Sequence, residues 1–88
     1  MKKIIMYGLK GREREVIEIP KDAVILSAKI LLGSVILWVK IDSENKALSP
    51  RMFRIISSGI NFDDAGLTYI DSIEKDGYVW HIFEEVRL

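Results

Sequence analysis

The 88 residues contain no cysteine, a single histidine, only two prolines and no apolar run that approaches a membrane span. Each shortage closes off a class of protein. Without cysteine there is neither a disulfide framework nor a thiolate metal site. With one imidazole, His81, acid-base or metal chemistry must centre on that residue or rely on carboxylates alone. A bilayer helix needs about 20 consecutive apolar residues, and nothing here comes near it. The opening Met1-Lys2-Lys3-Ile4-Ile5-Met6-Tyr7 is too short for a signal-peptide core and lacks a small-residue cleavage site. These absences lead to the expectation of an intracellular, cytoplasmic protein with no membrane association. Helical periodicity is missing too, since no stretch repeats apolar residues at three- and four-residue spacing.

What fills the chain is alternation. Seven short runs of strand-forming residues predict a single all-β domain over residues 1–88, mainly antiparallel, closed as a compact barrel or stacked as a sandwich. The runs are Lys3 to Tyr7, Arg14 to Ile19 (stopped by Pro20), Val24 to Leu31, Val35 to Ile41, Arg51 to Ser57, Leu67 to Glu74 and Tyr78 to Val86. Two hairpins stand out. Gly33-Ser34 between apolar runs predicts a two-residue turn, with Leu26 opposite Ile41, Ala28 opposite Val39 and Ile30 opposite Leu37 on the core face. Asp76-Gly77 predicts a second, with Ile73 opposite Trp80 and Leu67 opposite Val86 on the core side, and Ser72 opposite His81 and Ile70 opposite Phe83 on the other. Trp80 and Phe83 read as core. The polar stretch Asp42 to Pro50 reads as an exposed loop. Ser58 to Gly66 reads as an irregular connection with one helical turn around Asp63-Asp64-Ala65, its Ile60 and Phe62 folding back on the core.

A domain this short buries only about 60% of the surface its unfolded chain exposes, yet 49% of its residues are hydrophobic. The surplus favours a homo-oligomer that covers apolar surface with a second subunit. Net charge is zero, but residues 1–54 carry +5 and residues 55–88 carry −5. That balance, and aromatics spread over several segments, argue against nucleic acid, whose single-strand binders present a basic surface with clustered aromatics.

No residue is assigned a catalytic role. Ser72 and Glu84 or Glu85 near His81 lack the activated turn and oxyanion donors of acyl transfer. Asp63, Asp64 and Asp71 lack the spacing of a calcium loop, so no metal or cofactor is expected. The candidate ligand contacts are Trp38, Lys40, Arg51 and Arg54, with Lys29 nearby and Ser57-Ser58-Gly59 just downstream. Together they suit a phosphate held by charge beside a ring stacked on an indole, as in a nucleotide.

The strings Ile19-Pro20-Lys21-Asp22-Ala23-Val24-Ile25-Leu26-Ser27, Leu37-Trp38-Val39-Lys40-Ile41-Asp42, Phe53-Arg54-Ile55 and Tyr78-Val79-Trp80-His81-Ile82-Phe83-Glu84 resemble a family of small phage and prophage proteins classed as a domain of unknown function (DUF7352-like). The similarity runs from about Tyr7 to Glu84. Gly8 stands where family members tend to have proline, and Ser57-Ser58-Gly59 where they tend to have a Gly-Thr-Gly-like turn. The resemblance implies a viral origin and a host-cell interior, and supplies no activity to carry over. The expected function is that of a non-enzymatic phage accessory protein acting by self-association or by binding a phage or host protein. The alternative is an oligomeric protein that sequesters a small anionic ligand such as a nucleotide.

Overall fold

A computed structural model describes residues 1–86. The seven strands are β1 (Lys2–Gly8), β2 (Arg14–Pro20), β3 (Val24–Leu31), β4 (Ser34–Asp42), β5 (Leu48–Ser57), β6 (Leu67–Lys75) and β7 (Tyr78–Glu85). They form two antiparallel sheets, one in the order β1-β4-β3 and one in the order β2-β5-β7-β6. Each sheet keeps its ends open, so the architecture is sandwich-like and not a closed barrel. The shortest molecular dimension, 17 Å, suits two layers stacked about 10 Å apart.

Alternation explains the core. In β4 the side chains of Val35, Leu37, Val39 and Ile41 point inward and are buried. They meet Ile19 of β2, Phe53 of β5, Ile82 of β7 and Ile73 of β6, with Leu9 closing one end. No polar or charged side chain is buried among the described residues, so interior cohesion comes from apolar contact. Burial of each large side chain contributes about 1.5–3 kcal/mol.

The two hairpins follow the expected order with altered registers. The first turn is Leu32-Gly33, one residue earlier than expected, so Ala28 pairs with Leu37 and Ile30 with Val35. Both turn residues have positive φ, 50° at Leu32 and 81° at Gly33, as a primed two-residue turn requires. Gly33 satisfies that demand equally well as the second turn residue as it would as the first. A bulge between Ile25 and Ser27 then turns Ile25 inward opposite Val39 and leaves Leu26 exposed, against its expected place opposite Ile41. In the second hairpin Ile73 pairs with Trp80 and Ser72 with His81, as expected. Beyond them a bulge at Ile70 shifts the register, so that Phe83 faces Tyr69 instead of Ile70 and Leu67 faces Glu85 instead of Val86.

Two connections also differ. β5 starts at Leu48, inside the polar stretch expected to be loop. Pro50 is tolerated there because β7 joins β5 only from Met52 onward, leaving one side of β5 free of ladder partners. The segment 58–66 contains no helical turn. The Asp63 carboxylate accepts a hydrogen bond from the Ala65 amide instead, a local side-chain turn that competes with helix. Ile60 and Phe62 fold back, but onto the outer face of the β5-β7-β6 sheet and away from the core. Phe62 stacks obliquely on Phe83, ring centroids 5.4 Å apart. Phe83 is thus buried as expected, yet beneath this segment and outside the core cluster. The apolar outer face of the last hairpin has a covering.

β3 and β6 approach each other where the two sheets adjoin. Asp71, just past the β6 bulge, accepts from the Ala28 amide on the free edge of β3 at 3.1 Å and pairs with Lys29 Nζ at 3.4 Å. A carboxylate therefore bridges two sheet edges that share no ladder.

Candidate functional site

The sandwich separates the four residues singled out as ligand contacts. Trp38 and Lys40 alternate with the core residues of β4 and lie on the outer face of the three-stranded sheet, across from Met6 and Ile4 of β1. Arg51 and Arg54 belong to the other sheet and are three residues apart, hence on opposite faces of β5. Arg51 lies at the rim of the interior, where Nε and Nη2 fork onto the Glu84 carboxylate and Nη1 donates to the Ala23 carbonyl at 2.7 Å. The hydrogen bonds and charge of Glu84 hold the Arg51 guanidinium above its ordinary pKa against the opposing effect of burial. Arg54 emerges on the outer face, where Nη1 lies 3.4 Å from Glu85 Oε1. Arg14 reaches the same oxygen at 3.3 Å, so one carboxylate bridges two arginines that the register sets opposite each other. Arg54 Nε is buried without a hydrogen-bond partner.

The structure gathers a different group of residues on the outer face of the four-stranded sheet. His81 projects outward from β7 between two hydroxyls. Nε2 lies 2.8 Å from Ser58 Oγ and Nδ1 lies 2.8 Å from Tyr69 Oη. Sequence reasoning placed Ser72 across from His81, and the register agrees, but the polar partners are Ser58 and Tyr69. The bulge at Ile70 is the cause, because it brings Tyr69 onto the face of His81. Tyr69 packs edge-on against Phe83, centroids 5.2 Å apart. Segment 58–66 overhangs these rings and encloses a cleft of about 510 Å³, with Ile56 and Leu67 among its apolar lining and Asp64 beside it. On the other side of residues 60–62 a second hollow of about 380 Å³ is lined by Arg54, Asn61 and Trp80.

The chemistry of this cluster follows from the shared imidazole. A neutral ring has one N–H donor and one acceptor nitrogen, so one hydroxyl gives its proton to the ring while the other receives a bond and keeps its own proton to donate. Both nitrogens are engaged in fixing neighbours. His81 ties the turn after β5 to the ring of Tyr69.

A further surface stands out on the three-stranded sheet. Met6 and Leu26 are exposed near Trp38, and Ile4 and Val24 flank Lys40, so this outer face is largely apolar with one lysine at its middle. No group of histidine and acidic residues that could hold a metal occurs among the described residues. No described helix is long and apolar enough to cross a membrane.

Neither a curated protein nor a solved structure matches the sequence. A family model does match it from residue 1 to residue 88, its description being "Domain of unknown function (DUF7352)". The strand, turn and terminal Trp80-His81 strings that carried the resemblance are thus part of a match along the whole sequence, and the chain belongs to the DUF7352 family.

Proposed function

We propose that the chain is a non-enzymatic binding protein that acts through association with a second copy of itself along the free edge of β1. The observation that carries this reading is the contrast among the four sheet edges. Natural sheets protect their edges with bulges, prolines and charges. Edge β3 has a bulge and the Asp71 cap, and edge β6 has a bulge with Asp71 and Glu74. Edge β2 carries Arg14, Glu15, Glu18 and Pro20. After Lys2 and Lys3, β1 reads Ile4-Ile5-Met6-Tyr7-Gly8, with unbroken register and no described partner except β4.

Antiparallel pairing of two β1 strands centred on Ile5 sets Lys3 against Tyr7 and Lys2 against Gly8 of the second copy, so no lysine faces a lysine. It also sets Ile4 beside the second copy's Met6. Two three-stranded sheets become one of six, and the outer faces that carry Trp38 and Lys40 run together. This isologous contact closes on itself and accommodates the surplus of hydrophobic residues. The resemblance to phage proteins supports a setting inside the host cell, where such a dimer serves as an accessory protein.

Light scattering coupled to size exclusion tests the proposal. Wild type is expected at about twice 10.1 kDa, and Met6→Lys, which places a charge beside the edge, is expected to be monomeric. Val16→Lys, at an exposed position on the β2 edge, is expected to stay dimeric. A monomer at every concentration, or disruption by Val16→Lys and not by Met6→Lys, overturns the reading.

A further inference from the structure

We infer that the cleft beneath segment 58–66 is a binding site for an organic cation, a quaternary ammonium or a guanidinium group. The site lies on the outer face of the four-stranded sheet and is independent of the β1 edge. Its aromatic arrangement carries the argument. Phe83 is 7% exposed and touches both Phe62 and Tyr69, which are 47% and 52% exposed. A buried ring therefore forms the base and two accessible rings flank it. Ring faces carry negative quadrupole charge and attract cations.

Charge points the same way. Asp64 lines the cleft and no lysine or arginine does, within a half of the sequence that carries −5. Arg54 lines the separate hollow across residues 60–62, and its guanidinium faces Glu85. An anion entering the cleft meets Asp64 and no lysine or arginine, and the His81 imidazole in the lining has both nitrogens engaged by Ser58 and Tyr69, whereas an ammonium or guanidinium group meets three rings and a carboxylate.

The hydrogen-bond network fixes the walls. Tyr69 is half exposed, yet its hydroxyl is held by His81 and its ring by Phe83, while His81 is held in turn by Ser58. A wall fixed in advance avoids an ordering cost on binding. His81 is thereby a positioning residue.

NMR titration of the full chain tests this with choline and its neutral isostere, in which a tert-butyl group replaces the trimethylammonium. A second arm uses a glycine-flanked arginine peptide and its citrulline counterpart, and distinguishes a free cation from a side chain presented by a protein. At least one cation is expected to shift the signals of Phe62, Tyr69 and Ile60, with its neutral counterpart weaker by about fivefold or more. Tyr69→Ala is expected to weaken binding about tenfold, Tyr69→Phe only about twofold, and Asp64→Asn to flatten the salt dependence. Dispersed spectra of each variant confirm that it is folded. Binding of choline alone, of the arginine peptide alone, or of both supports the site. Equal binding by neutral and cationic partners, no shift with either cation, or occupancy of the cleft by adenosine monophosphate in preference to both overturns it.

Discussion

Replacing Asp71 by alanine removes a carboxylate that bridges the two sheets, and its cost follows from the contacts. Oδ2 accepts from the Ala28 amide at 3.1 Å and Oδ1 from the Ser72 amide at 2.9 Å, while Lys29 Nζ stands 3.4 Å away. Ala28 is fully buried, so its amide is left without a partner, at a cost of about 1–3 kcal/mol. The Lys29 pair is largely exposed and adds about 0–1 kcal/mol. The expected loss is about 2 kcal/mol, a drop in Tm on the order of 10 °C for a domain of this size, read from urea and thermal unfolding.

The dependence on pH gives an independent check. Burial pushes the Asp71 carboxyl upward, but the Ala28 and Ser72 amides and Lys29 together outweigh it and hold the group below its ordinary value of 3.8. A lowered folded-state value means that the contribution is fully present above the unfolded value and is lost as pH falls through the folded one. The stability gap between wild type and Asp71→Ala should therefore be largest at neutral pH and shrink only as acid reaches the region below 3.8. A neutral-pH gap under about 0.5 kcal/mol, the ordinary range of surface substitutions, refutes the bridge. So does a gap that stays constant into acid.

Three further substitutions probe the hairpins. Leu32 is 98% exposed and has a φ of 50°, a conformation that costs a side chain of this kind about 1–2 kcal/mol; Leu32→Asn should raise stability by about 0.5–1 kcal/mol, and a fall in the urea midpoint contradicts the turn assignment. Trp80 packs against the core opposite Ile73, so Trp80→Ala should cost about 3 kcal/mol or more. His81→Ala, on the outer face, should cost about 1 kcal/mol, and equal losses count against the register around Asp76-Gly77.

The strands and hairpins were legible because alternation and turn residues are local signals. The two bulges were not. An extra residue such as Leu26 or Ile70 carries no compositional mark, since it is itself an ordinary strand former and no glycine or proline stands beside it. The bulge at Ile70 nonetheless shapes the outer face, because it brings Tyr69 beside His81, while Asp71, on the hairpin side of that bulge, keeps its place opposite Ile82 and reaches the edge of β3. The position of Arg54 on a fixed outward face was readable from its place between Phe53 and Ile55. Its neutralisation by Glu85 was not, because that pair depends on β7 joining β5 across 31 residues of sequence. Trp38 and the two arginines read as neighbours in sequence, and they part because the connection between β4 and β5 crosses from one sheet to the other.

Self-association through β1 is tested most directly by amide hydrogen exchange followed along that strand at increasing protein concentration. Pairing between two β1 edges predicts that the amides of Lys2–Gly8 facing away from β4 become protected as concentration rises, while those of β2, on the charged edge, do not change. Outward amides of β1 that exchange as fast as those of segment 58–66 at every concentration would contradict it.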